Sequence, residues 1–245
     1  EDFSTLLLGE TGSGKGSAAA AIGRSAFIPF DPKRGAFAES FMRNFLSLNL
    51  CQYPEALLES ELFGHRKGAF TGAVNDHEGV FSLCSPHGAI FLDEIGEVPD
   101  TVQVKLLQVL QEREFSPVGS HEAQRFSGRV IAATNRSMET LLREGRFRRD
   151  FYYRLCSDVI EVPPLRQRLR EEPAEFGALV RHVLQRVLGG PDEQLAARVE
   201  DSLRRSPGRA YGWPGNVREL EQAVRRVLVA GRYEPAASAG TTGDG

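Results

Sequence analysis

The stretch Gly9-Glu10-Thr11-Gly12-Ser13-Gly14-Lys15-Gly16 constrains this 245-residue sequence more than any other. It follows the apolar run Thr5-Leu6-Leu7-Leu8 and opens an alanine-rich stretch over 17–23 with high helix propensity. Strand, glycine-rich loop and helix in that order form a cradle for phosphate. Backbone N–H groups turn inward, and the helix N-terminus adds partial positive charge. Lys15 stands where it would neutralise the β- and γ-phosphates of a nucleotide. Further apolar runs at 45–50, 89–92, 130–134 and 159–162 alternate with amphipathic stretches, which predicts an α/β core with a parallel sheet.

The second half of a nucleotide site lies at Ala89-Ile90-Phe91-Leu92-Asp93-Glu94. An apolar strand ending in two acids places them at the carboxyl edge of the sheet, where open α/β folds bind ligands. Asp93 is expected to orient Mg2+ through its water shell, and Glu94 to polarise an attacking water, so ATP and Mg2+ are the implied cofactors. One position departs from the pattern. The residue after the lysine is usually Ser or Thr, whose hydroxyl helps hold Mg2+, but here it is Gly16. Ser17 comes one position late on the helix, so metal binding leans on the carboxylates.

A helix is expected between the third and fourth strands, with Asp100 as cap, Gln103 as its reciprocal partner, and Val102, Leu106, Val109 and Leu110 on one face. After Val162-Pro163-Pro164-Leu165 only helical patterns follow. Phe176, Leu179, Val180, Val183, Leu184, Val187 and Leu188 share a stripe that stops at Gly189-Gly190. Leu195, Val199 and Leu203 mark a second helix. A third runs from Asn216, read as an N-cap with Glu219 reciprocal, to Gly231. The expected organisation is an α/β core over 1–165, a small helical lid over 166–233 and a disordered Ala/Gly/Ser/Thr-rich tail over 234–245. The segment 26–45, with two prolines and the basic pair Lys33-Arg34, reads as an extended connection.

A net charge of −3 gives no basic field for nucleic acid. Cys51, Cys84 and Cys156 lack CxxC or metal spacing and read as reduced thiols, two of them partly buried. No signal-peptide pattern and no apolar run near the ~20 residues of a membrane span is present, so a soluble, cytoplasmic chain with no membrane role is expected.

Glu59-Ser60-Glu61-Leu62-Phe63-Gly64-His65-Arg66-Lys67 leads into Gly68-Ala69-Phe70-Thr71-Gly72-Ala73. Further blocks are Phe91-Leu92-Asp93-Glu94-Ile95-Gly96-Glu97, 105–113, Gly145-Arg146-Phe147-Arg148, Tyr152-Tyr153-Arg154-Leu155 and Trp213-Pro214-Gly215-Asn216-Val217-Arg218-Glu219-Leu220. Over roughly 4–231 these ordered motifs resemble the AAA+ domains of sigma-54-dependent transcription activators. The resemblance implies a five-stranded parallel sheet followed by a helical lid, and a ring of six or seven copies that hydrolyses Mg-ATP. It implies that the hexapeptide 68–73 touches the sigma-54 subunit of RNA polymerase, chiefly through Phe70 and Thr71. By the same resemblance Asn135 senses the γ-phosphate and Asn49 couples Glu94 to the loop. Arg148 and Arg154 would act as fingers in a neighbour's site, and Arg218 as a second sensor. Either Asn would also suit an ordinary strand-end turn, and either arginine a solvated helix face.

Two departures bear on activity: the family has Glu where this chain has Gly16, and Glu where it has Arg66 at the loop's base. The connection 26–45 is also longer than usual. No helix-turn-helix pattern follows Gly231, so DNA is expected to be met only indirectly or through domains outside this chain. The alternative is a nucleotide-dependent regulator with weak or no turnover.

Overall fold

A computed structural model describes residues 4–40, 44–208 and 211–235. The chain divides into two compact units. One runs to Gly9 and again over Gly14–Val162; the other joins Glu10–Ser13 to the chain from Pro163 onward.

In the first unit β1 (Thr5–Leu8) leads to α1 (Lys15–Arg24). The segment expected to be extended instead carries a short antiparallel hairpin, β2 (Phe30–Asp31) with β3 (Ala36–Phe37). Asp31 Oδ1 accepts hydrogen bonds from the N–H groups of Lys33 and Arg34, and Gly35 takes φ +61°. An aspartate that folds back on the next N–H groups is a turn signal in itself, and here it reverses the chain between β2 and β3. Residues 41–43 of that segment lie outside the described residues.

There follow β4 (Phe45–Asn49), α2 (Glu55–Phe63), α3 (Val80–Leu83), β5 (Ala89–Asp93) and α4 (Asp100–Glu112). Next come β6 (Glu114–Phe115), β7 (Gln124–Arg125), β8 (Arg129–Thr134), α5 (Met138–Arg143), α6 (Arg149–Leu155) and β9 (Asp158–Glu161). A five-stranded parallel sheet forms in the order β4-β5-β8-β1-β9, and β6 pairs antiparallel with β7.

Successive side chains of a strand face opposite ways, and both faces of the inner strands are covered. Leu6, Ile90, Leu92, Val130 and Ala132 join Val102, Leu106 and Val109 of α4 in one core. Leu7, Ala89, Phe91, Ile131 and Ala133 pack with Ala19 of α1 in another. This two-sided burial is why β5 reads as a continuous apolar run rather than an alternating one.

The capping box expected at Asp100 and Gln103 does not form. Pro99 holds the N-cap position, without a side-chain cap bond, and Asp100 is the first helical residue. Gln103 is fully buried, its amide drawn inward onto backbone groups.

The second unit contains α7 (Leu165–Glu171), α8 (Glu175–Leu188), α9 (Glu193–Leu203) and α10 (Asn216–Ala230). Leu165, Phe176, Val180, Leu184, Val199 and Leu220 are among the residues of its own core, in which Trp213 is 3% exposed. Gly189 ends α8 in the left-handed conformation at φ 77°, as its sequence position suggests. Asp192 caps α9 by accepting from Leu195 N–H. At α10 the reading is half right. Glu219 accepts from Gly215 N–H, but Gly215 is the cap and Asn216 has other partners. Of the expected disordered tail, everything after Pro235 lies outside the described residues.

Gly23 sets how closely α1 approaches the sheet, because a Cβ there would lie 2.4 Å from Phe45 Cδ2 and 3.1 Å from Ala89 Cβ. Gly23→Ala should therefore destabilise the fold by about 1–3 kcal/mol through overpacking, despite alanine's better helix propensity. Urea unfolding measures this, and an unchanged or raised midpoint would contradict it.

Candidate active site

Register aligns the ends of three strands: Asn49 lies opposite Asp93, and Asp93 opposite Ala133. Asn135 is the first residue after β8 and is exposed. The chain turns sharply after Asp93, since Glu94 sits at φ 60°, ψ 44°. A non-glycine residue there costs roughly 1–2 kcal/mol, and such strain collects at functional sites. Glu94 N–H donates to Asp93 Oδ1 at 3.1 Å, which fixes one carboxylate beside the base of the other. The Cys51 thiol is pushed up first by burial and then by Glu97, Glu94 and Asp93, with Arg136 opposing them.

Asn49 Oδ1 accepts from Cys51 N–H at 3.0 Å and so caps the 3-10 turn Leu50–Gln52. Lys15 is 7% exposed, and its Nζ donates to the Gly9 carbonyl at 2.8 Å, folded back over the loop it follows. Gly14, at φ 106°, precedes the ten-residue helix α1. Gly16 is not sterically required: an added Cβ would meet only Phe91 Cε1, at 3.9 Å.

In the second unit the loop apex Glu10–Ser13 is held by helical residues. Glu10 accepts from both Nη atoms of Arg166, at 2.7 and 2.5 Å, and from Asn216 Nδ2 at 3.1 Å. These hydrogen bonds hold its carboxyl down at about 2. Asn216 Nδ2 also donates to Thr11 O at 3.1 Å, while Asn216 Oδ1 accepts from Leu165 N–H at 2.7 Å. Val217 N–H donates to Gly12 O at 3.0 Å. Gly12, at φ +78°, is obligatory, because a Cβ would lie 2.4 Å from Gly215 O and 3.0 Å from Arg218 Cβ. Asn216 was missed as a site residue and read as a cap. Nothing in its spacing marks it, only its complete burial.

These groups suit a nucleotide. Ser13 Oγ is buried without a hydrogen-bond partner in the apex, where a phosphate oxygen would satisfy it. Within the first unit, Gly14 leaves backbone free of Cβ, Lys15 brings positive charge, and Asp93 and Glu94 are hard oxygen donors of the kind Mg2+ takes.

The two candidate fingers differ. Arg148 precedes α6 and pairs through Nε and Nη2 with Asp150, at 3.1 and 2.8 Å, at the surface. Arg154 donates from Nε and Nη2 to the Leu110 carbonyl, at 2.8 and 2.6 Å, tying α6 to the end of α4.

The hexapeptide closes on itself, with Gly68 N–H donating to Ala73 O at 2.8 Å and Ala73 N–H to Phe70 O at 3.0 Å. Gly68 and Gly72 have φ +82° and +102°, which only glycine adopts freely. Thr71 and Gly72 are exposed, and Ala69 is half-buried. Phe70 is half-buried too rather than freely exposed, its ring edge-on to His65 at 4.9 Å. The loop's base is braced on both sides, His65 pairing with His77 and Arg66 N–H donating to Val118 O. Arg66, the charge reversal of the sequence, meets complementary acids: Nη1 reaches Asp76 at 3.0 Å and Nη2 reaches Glu122 at 2.9 Å. Asp76 also accepts from Lys67 N–H at 2.7 Å.

Because Glu10's folded pKa lies below its ordinary 4.5, its contribution to stability is present above about pH 4.5 and is lost as pH falls through about 2. Glu10→Gln should therefore lower the urea midpoint at pH 7, with the gap to the parent chain closing as pH approaches 2. A gap independent of pH would show that the Arg166 and Asn216 bonds do not act through ionised Glu10.

The family model described as the sigma-54 interaction domain matches residues 1–161. The chain is 41% identical to DNA-binding transcriptional regulator NtrC of Azospirillum brasilense over 228 residues, covering 92% of this chain and 43% of that protein. It is 44% identical to the Nif-specific regulatory protein of Azotobacter vinelandii over 224 residues, covering 91% and 39%. It thus spans less than half the length of these curated relatives. Among solved structures, NtrX from Brucella abortus in complex with ADP aligns with TM-score 0.70 and 23% identity, over 97% of this chain and 48% of that one. Hsp104 in a complex with ATPγS and casein aligns with TM-score 0.60 and 18% identity, over 92% and 40%. These two likenesses speak to the fold alone, here a core with a five-stranded parallel sheet. With the family model covering most of the chain and relatives above 40% identity, this protein belongs to the sigma-54 interaction domain family.

Proposed function

We propose that this chain is the Mg-ATP-hydrolysing motor of a sigma-54-dependent transcription activator, acting in the cytoplasm. The observation that carries the reading is the pairing, in one unit, of the strained Asp93-Glu94 edge with a braced loop presenting Gly68-Ala69-Phe70-Thr71-Gly72-Ala73. Bound Mg-ATP would supply the phosphoanhydride and the cation that offsets its charge. Backbone N–H groups of the glycine-rich loop and Lys15 would hold the phosphates, and Asp93 would hold Mg2+. Glu94 takes the proton of the attacking water, and Asn135 and Arg218 sense which nucleotide is present. Asn49 couples Glu94 to the loop by donating from Nδ2 to the carboxylate, its Oδ1 being the atom that accepts from Cys51 N–H.

Arg148 and Arg154 serve the neighbouring subunit's site in a ring of six or seven copies. Arg148 needs only to release Asp150, whereas Arg154 must leave a carbonyl it already satisfies. Phe70 and Thr71 contact the sigma-54 subunit, with Phe70 leaving His65 to do so. DNA is met only indirectly or through domains outside this chain. A second reading, a nucleotide-dependent regulator with weak turnover, draws on Gly16, which offers no hydroxyl to the metal.

ATPase turnover at high protein concentration separates the two. Glu94→Gln should lower it by about 10²–10⁴-fold, the usual worth of a positioned base. Equal inactivity of parent and variant, with nucleotide bound by both, would instead establish the regulator. For the partner, sigma-54 should be retained with a transition-state nucleotide analogue and lost with Thr71→Ala; retention by both would sink that assignment.

A further inference from the structure

Gln103 lies one turn into α4 and is fully buried. A buried primary amide must find partners for two N–H donors and a carbonyl, and all three are met by backbone. Nε2 donates to Val98 O at 2.8 Å and to Arg146 O at 3.0 Å, and Oε1 accepts from Arg148 N–H at 2.9 Å. Only one orientation of the amide satisfies this set. Val98 belongs to the segment that enters α4, so the side chain is anchored on one side and grips 146–148 on the other.

Phe147 is buried in the core and stacks on Phe151 at 5.1 Å, and Arg148 O accepts from Tyr152 N–H at 3.0 Å, so the segment is pinned on either side of the Arg148 amide that Gln103 holds. Arg146 and Phe147 N–H groups share the Leu141 carbonyl, at 3.0 and 3.3 Å. Arg148 has extended backbone just before α6, and its guanidinium rests on Asp150 at the surface. The side chain of Arg148 can reach elsewhere by leaving Asp150, while its main-chain N–H is held by Gln103.

We infer that Gln103 is a positioning residue for the Arg148 finger: it fixes the main chain from which Arg148 reaches a neighbouring subunit's nucleotide. This rests on the ring-ATPase reading above. A misplacement near 1 Å in a reacting group can lower a rate about 10²-fold, so Gln103→Met, of similar length without hydrogen bonds, should lose on the order of 10²-fold in turnover. Nucleotide affinity should stay unchanged, because the variant's own phosphate loop and acids are untouched.

Mixed rings give the decisive readout. Glu94→Gln subunits have a dead site but an intact finger, so adding them to Arg148→Ala subunits should restore turnover at interfaces where a good site meets a good finger. Adding them to Gln103→Met subunits should restore it equally. If Arg148→Ala is rescued and Gln103→Met is not, Gln103 acts elsewhere and the inference falls while the finger reading stands. If neither is rescued, the finger reading falls and takes the inference with it. Full turnover by Gln103→Met alone would also overturn it. Should that variant fail to fold, hydrogen exchange on the parent chain decides: the Arg148 amide should be protected, and free exchange would contradict the grip.

Discussion

The alignment of the strand ends governs the rest of this structure. Hydrogen bonding of β5 between β4 and β8 is in register to the last residue, which brings Asn49, Asp93 and Ala133 side by side. Register in a sheet buried on both faces is strongly specified, because a one-residue slip turns every side chain to the other face. Leu92 and Phe91, packed in separate cores, would then exchange environments. The position of the acids is thus set by apolar packing of the residues just before them. From that fixed edge the chain leaves through the left-handed Glu94, a conformation the surrounding packing must hold.

The loop at 68–73 is governed by the opposite logic. Its base is tied by backbone bonds to residues near 77 and 118, while its tip closes through Gly68 N–H to Ala73 O and Ala73 N–H to Phe70 O, with Phe70 against His65. Arg66 shows how a departure from family pattern can be absorbed: the cation replaces an acid and finds Asp76 and Glu122. Those pairs are half-exposed, and exposed pairs are worth roughly 0–1 kcal/mol. They can orient the loop without locking it.

Much of this was legible in the sequence. The five strands appeared within a residue or so of their predicted limits, because buried runs bounded by Gly, Asn and acids leave little freedom. The phosphate loop was legible because its glycines serve a backbone need. Polar residues that answer tertiary demands were not. Gln103 and Asn216 both occupy positions that look like helix-capping signals, and both instead satisfy backbone groups distant in sequence. Asp31's turn was obscured by the prolines and phenylalanines around it. Arg66 could be seen as anomalous, yet its partners ten and 56 residues away could not be paired with it from order alone.

In the proposed function, 68–73 is the output of the site formed around Lys15, Asp93 and Glu94. Amide hydrogen exchange across 64–77, compared without nucleotide, with ADP and with ATP held on the Glu94→Gln chain, tests it most directly. If the loop is driven by the site, protection in 64–77 should differ between the ADP and ATP states, while the buried strand β5 stays unchanged. Identical exchange through the loop in all three states, with nucleotide shown to be bound, would contradict it.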